Sequence, residues 1–160
     1  MALQSALINV MEKAAQNAGG KLARDFGEVE NLQVSRKGPS DFVSKADLRA
    51  EKTLVEELQT ARPQFGFILE EGEDIAPQDG NNSVWIIDPL DGTTNFLHGI
   101  PRFAISIALE QGGEIIAAIV YNPITDDLFW AEKGRGAYLN NRRLQVSSRR
   151  NLHDCVLATG

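Results

Sequence analysis

The stretch from Trp85 to Phe96, WIIDPLDGTTNF, limits what this chain can fold into more than any other. Val84, Trp85, Ile86 and Ile87 make a short apolar run of the kind that fills a strand covered on both faces. Pro89 has no N–H to offer a ladder, so the spacing predicts a strand that stops at Asp88. The same proline biases Asp88 towards extended backbone and fixes its own φ. Asp88 and Asp91 therefore sit on a stiff turn with side chains able to converge. Gly92, Thr93, Thr94 and Asn95 then read as the opening of a helix, where unpaired N–H groups and the positive end of the dipole favour an anion.

Two carboxylates beside a phosphate-sized helix start point to metal-assisted phosphate chemistry. Hard cations such as Mg²⁺ prefer carboxylate, carbonyl and water oxygens at about 2.0–2.1 Å and share their coordination sphere with substrate phosphate. Asp88, Asp91 and the backbone carbonyl of Leu90 suit that chemistry. Each residue alone has a plainer explanation: Asp88 ends a strand, Asp91 and Gly92 make a turn, and Thr93 caps a helix. Taken together, two aspartates around a proline, followed directly by Gly-Thr-Thr, favour a site.

Elsewhere the hydrophobic pattern predicts the frame around this turn. Leu3, Leu7, Val10, Met11, Ala14, Ala18 and Leu22 recur at helical spacing, so the first two dozen residues read as one amphipathic helix. Residues 27–39 are polar and read as an irregular or hairpin-like segment, on which Lys37 is either a solvated charge or a phosphate ligand. Ser44 and Asp47 have capping-box spacing, and Ala50, Leu54, Leu58 and Ala61 continue one face of a second helix until Pro63. Asp47 thus has a structural role available, although its outer oxygen could also accept a bond from Thr93. Phe65 to Leu69 reads as a strand that delivers Glu70 and Glu71 at its exit. Adjacent strand residues point oppositely, which selects Glu70 for the cluster.

Residues 73–82 read as a solvated acidic loop. After the motif, residues 104–109 and 115–121 flank Gly112-Gly113 as a hairpin, and strands over 128–131, 137–139 and 142–146 extend an antiparallel meander. Cys155 to Gly160 reads as a further strand ending in glycine. The fold class is α+β, helices packed on a largely antiparallel sheet. His98 and His153 lack a metal-ligand spacing and read as loop or strand-edge residues.

At 160 residues with 42% hydrophobic content, the chain can build one domain with a real core. A formal charge of −6 argues against nonspecific nucleic-acid binding, and an anionic substrate would need metal to enter. Cys155 is the one cysteine, which excludes an internal disulfide and reads as a small buried residue. Glu12, Lys13, Lys21 and Arg24 interrupt the first helix well short of the roughly 20 apolar residues of a membrane span, so a soluble, cytoplasmic protein is expected.

WIIDPLDGTTNF, the Glu70-Glu71 pair and the segment DFVSKAD at 41–47 together resemble the inositol monophosphatase family of Mg²⁺-dependent, lithium-sensitive phosphatases. The resemblance implies the N-terminal, metal-binding part of a layered αβαβα sugar-phosphatase fold. It also implies hydrolysis of inositol 1-phosphate, or another phosphorylated polyol or sugar, by a metal-activated water. Glu70, Asp88 and the Leu90 carbonyl would hold a first Mg²⁺; Asp88 and Asp91 would help hold a second, in a centre of two or three ions. Thr93, paired with Asp47, would help activate the water alongside Glu70. The start of the helix at Gly92, Thr93 and Thr94 would bind phosphate, and Lys37 would lie on a loop closing over the site.

Leu69 stands where the commonest family pattern has glycine, which leaves the ligands intact. A further metal-binding aspartate in a Trp-Asp motif is absent from residues 1–160, so the chain is expected to be a truncated representation of the family, inactive alone. Fructose 1,6-bisphosphate and histidinol phosphate are alternative substrates. The resemblance further implies a homodimer, and a transcription-machinery partner is open because some bacterial relatives are associated with that apparatus.

Overall fold

The computed structural model describes residues 4–33, 39–78 and 80–157. Two long helices, α1 (Ala6–Gln33) and α2 (Pro39–Ala61), precede β1 (Gly66–Leu69) and β2 (Ser83–Asp91). A short α3 (Thr93–Leu97) follows, then β3 (Ala104–Gln111), β4 (Glu114–Asn122), β5 (Asp127–Glu132), β6 (Gly136–Leu139) and β7 (Arg142–Arg143). The strands form one sheet in sequence order; β1 and β2 pair in parallel, and every later neighbour is antiparallel. The α+β expectation holds, with one parallel pair at the edge that carries the motif.

Period-two burial explains how the layers meet. Trp85 and Ile87 of β2, Ile105, Ile107 and Leu109 of β3, and Ile119 and Tyr121 of β4 are buried. Ile8, Met11, Ala15, Ala18 and Leu22 of α1 and Ala46, Ala50, Leu54 and Leu58 of α2 complete the same core. Alternate residues are less covered, and Phe129 on β5 is 42% exposed.

Several boundaries differ from the sequence expectations. The first helix does not end near residue 24: Phe26 and Val29 extend its apolar stripe, and helix α1 runs through Gln33. Phe26 packs on Phe96 and Phe103, with ring centroids 5.5 and 5.1 Å away, so tertiary contact outweighs the polar character of residues 27–33. The rest of the expected irregular segment, including Lys37, falls at 34–38 and lies outside the described residues.

Helix α2 begins at Pro39, where a first-turn proline sacrifices no helical hydrogen bond. Ser44 and Asp47 therefore lie inside the helix, past its first turn, and their spacing does not mark its start. Strand β2 does not stop at Asp88 but continues to Asp91 across a register shift. The missing N–H of Pro89 is tolerated because the proline lies in the bulge, off the ladder.

Within residues 73–82, Ile75 pairs with Phe67 through N–H to carbonyl bonds of 2.7 and 2.8 Å, so that loop is not wholly solvated. Strand β7 covers only Arg142–Arg143. Residues 155–157 are not a strand; they pair with no sheet edge, Cys155 is exposed, not buried, and Val156 is 90% exposed.

Candidate metal and phosphate site

Parallel pairing of β1 with β2 sets the site. Leu69 lies opposite Ile87, so Glu70, the first residue past β1, comes beside Asp88 of β2. Asp88 pairs with Ser106 and Asp91 with Ala104; three steps on β2 thus match two on β3, and the extra residue makes a bulge. Pro89 and Leu90 are buried there, while Asp88 is half-buried and Asp91 exposed. Asp88 Oδ1 accepts the Leu90 N–H at 3.1 Å, which stiffens the turn.

Gly92 closes the turn with φ 90°, in the left-handed region. A Cβ at this position would lie 2.9 Å from the Arg102 carbonyl oxygen, so both conformation and space require glycine. No side chain caps α3, and the first N–H groups of this short helix have no helical acceptor. Thr93 Oγ1 donates to the Leu90 carbonyl at 3.0 Å. A cavity of about 320 Å³ borders the turn, lined in part by Asp91, Gly92, Asn95 and Arg102.

Helix α2 supplies the opposite wall. Asp47 and Glu51, one turn apart on one face, are only 4% and 5% exposed. Burial, followed by the charges of Glu71, Glu70, Asp88 and Glu51, pushes the Asp47 carboxyl from 3.8 up to about 7. Its Oδ1 atom has no hydrogen-bond partner. Glu70 is raised from 4.5 to about 7, chiefly because it shares a hydrogen bond with Asp88, then by desolvation and the charges of Asp88, Glu71 and Asp91.

The structure therefore brings Asp47, Glu70, Glu71, Asp88 and Asp91 within electrostatic reach of one another, beside Gly92 and Thr93. Thr93 gives its proton to Leu90, not to Asp47. Among the described residues no three acidic, histidine or cysteine side chains are gathered tightly enough to ligate one ion. The donor set still fits a hard divalent cation. It consists of oxygen atoms, and the neighbouring carboxylates that raise Asp47 and Glu70 exert a repulsion that a cation would relieve.

Sequence reasoning missed Glu51, whose Oε2 accepts the Glu71 N–H at 3.0 Å. Its spacing of four from Asp47 was the available signal, because that spacing places both carboxylates on one helix face.

Fold and donor set together define a class: an α+β protein with an acidic, oxygen-donor cluster where one strand ends beside the bulge of its parallel neighbour, next to a glycine-opened helix. The chain belongs to the inositol monophosphatase family, whose model matches residues 3–160. It is 62% identical over 157 residues to the inositol-1-monophosphatase of Rhizobium meliloti (strain 1021), a match covering 98% of this chain and 59% of that relative. It is 39% identical over 154 residues to the Nus factor SuhB of Escherichia coli (strain K12), covering 96% of this chain and 57% of that one.

The crystal structure of extragenic suppressor protein suhB from Bartonella henselae superposes with a TM-score of 0.83 at 60% identity, covering 94% of this chain and 58% of its own. An inositol monophosphatase structure from Anabaena gives a TM-score of 0.74 at 33% identity, covering 89% of this chain and 50% of that one. The chain thus spans somewhat over half the length of the relatives it matches. Among the described residues no helix is long and apolar enough to cross a membrane.

Proposed function

We propose that this chain carries the metal-binding part of a Mg²⁺-dependent phosphomonoesterase that hydrolyses inositol 1-phosphate to inositol and phosphate. The observation that carries the reading is the convergence of Asp47, Glu70 and Asp88, with Asp47 and Glu70 both raised to about 7, beside the uncapped start of α3. Family membership and the name of the Rhizobium meliloti relative support the substrate.

Glu70, Asp88 and the Leu90 carbonyl would hold one Mg²⁺, with Asp88 and Asp91 helping to hold a second in a centre of two or three ions. When bound, the cations supply Lewis acidity at the phosphoryl oxygens and a lowered pKa for water. The N–H groups of Gly92, Thr93 and Thr94 would bind the same phosphate and stabilise its developing charge. Thr93 can turn its hydroxyl from Leu90 and, paired with Asp47, orient the attacking water and help deprotonate it together with Glu70. The water oxygen bonds to phosphorus in line as the bond to the inositol oxygen breaks; that oxygen takes a proton from solvent water, and the proton removed from the attacking water passes to solvent. Lys37, beyond the described residues, would add positive charge at the phosphate.

The same reading extends to lithium sensitivity and a cytoplasmic homodimer, supported by family membership. The test is phosphate release by the full-length protein from inositol 1-phosphate, fructose 1,6-bisphosphate and histidinol phosphate, with and without Mg²⁺. Inositol 1-phosphate should be preferred, and Asp88→Asn should lower turnover at least about 100-fold with little unfolding. Retained activity in Asp88→Asn rejects the assignment; preference for either other ester moves the substrate within the family. A second role, in association with the transcription machinery, is supported by the Nus factor SuhB relatives. Partner capture by a metal-site variant would separate that role from hydrolysis.

A further inference from the structure

We propose that Glu51 is a positioning residue that aims Glu70 into the acidic site by fastening the exit of β1 to helix α2. This deepens, and rests on, the phosphatase reading of that site.

Glu70 lies between two backbone amides, each held by a carboxylate. The Leu69 N–H donates to Asp74 Oδ1 at 3.0 Å, and the Glu71 N–H donates to Glu51 Oε2 at 3.0 Å. These holds differ in reach. Asp74 is five residues away in the same turn and keeps that turn tight, but cannot set where the turn lies against the helix. Glu51 is twenty residues away on α2 and joins two elements.

The Glu51 side chain is itself confined. It is buried, and a carboxylate so placed among other acids is costly unless hydrogen-bonded. A Cβ at Gly72 would stand 2.8 Å from Glu51 Oε1, so the absence of a side chain there leaves room for the carboxylate. One helical turn towards the N-terminus, on the same face, is Asp47. A single turn of α2 thus carries both the carboxylate that faces the cluster and the one that docks the strand exit. The Glu51 bond consequently sets the separation of Asp47 from Glu70. Partners that orient a metal-binding group in this way typically change cation affinity or activity by roughly 10- to 100-fold when removed.

Glu51→Gln, Glu51→Leu and Gly72→Ala in the full-length protein test this. Three quantities separate positioning from general stability: exchange of the Glu71 amide hydrogen without cation, Mg²⁺ affinity by calorimetry, and kcat and KM for inositol 1-phosphate. Glu51→Leu should lose Glu71 amide protection and weaken Mg²⁺ binding and kcat/KM by roughly 10- to 100-fold. Glu51→Gln keeps an acceptor oxygen and should stay close to wild type, and Gly72→Ala should reproduce part of the loss.

Unchanged Mg²⁺ affinity in Glu51→Leu overturns the proposal, as does a loss in Glu51→Gln equal to that in Glu51→Leu. If Glu51→Leu does not fold, the comparison of Gly72→Ala with Glu51→Gln decides, and a neutral Gly72→Ala overturns it. Should wild type hydrolyse no phosphate ester while Glu51→Leu still loses amide protection and Mg²⁺ affinity, the phosphatase reading fails and the positioning role stands.

Discussion

The meander and the acidic edge of the same sheet are built to opposite standards. From β3 to β5, buried and less covered residues alternate, and the buried ones are apolar: Ile105, Ile107, Leu109, Ile119, Leu128 and Trp130. Where β1 ends beside β2, by contrast, a buried Asp47 oxygen has no partner, burial and then neighbouring charges raise the Asp47 carboxyl to about 7, and a hydrogen bond with Asp88, then desolvation and neighbouring charges, raise Glu70 to about 7. The first region follows the alternation that sheet packing asks for along its covered face. The second violates the rule that buried polar atoms are paired, and such violations concentrate where a protein binds something. The apolar sheet is the stiff support that lets the acidic edge persist in that condition.

Substitutions on the two sides should differ in sign as well as size. Ile107→Ala, at a fully buried position on β3, should lower unfolding free energy by about 2–5 kcal/mol in urea denaturation. A loss well below that range would mean the sheet is not the support described. Gly92→Ala joins the two regions, because its Cβ would press on the Arg102 carbonyl at a left-handed φ. It should cost about 1–3 kcal/mol and also weaken phosphate binding. Asp47→Asn should act the other way and stabilise the cation-free protein by on the order of 1 kcal/mol at neutral pH, because it removes a charge that is desolvated by burial and repelled by its acidic neighbours. Destabilisation by Asp47→Asn would erase the contrast.

What was legible in the sequence was local. WIIDPLDGTTNF states its strand and turn within its own length, because an apolar run, a proline and a glycine act on immediate neighbours, but the bulge that carries β2 past Asp88 to Asp91 depends on pairing with β3 and was not legible. The alternating strands were legible for the same reason. Ser44 and Asp47 misled, since capping-box spacing also occurs inside helices and Pro39 supplies the true start. The extension of α1 to Gln33 could not be seen, because Phe26 finds Phe96 and Phe103 only after folding. The Glu51 bond to the Glu71 amide depends likewise on the docking of α2 beside β1. Residues could be nominated for the site from sequence, but their mutual distances belong to the tertiary fold.

The central claim is that burial and mutual repulsion of its carboxylates disfavour charge at the acidic edge and that a divalent cation relieves this, and stability against pH tests it most directly. Asp47 rises from 3.8 to about 7 and Glu70 from 4.5 to about 7, so between those values the folded protein binds more protons than the unfolded chain. Without cation, the stability they contribute is full below about pH 4 and is lost as pH rises through about 7. Saturating Mg²⁺ should remove most of that loss, so its stabilising effect should be small near about pH 5 and large near about pH 8. Equal stabilisation by Mg²⁺ at both values, or a cation-free stability that does not fall across this range, would contradict it.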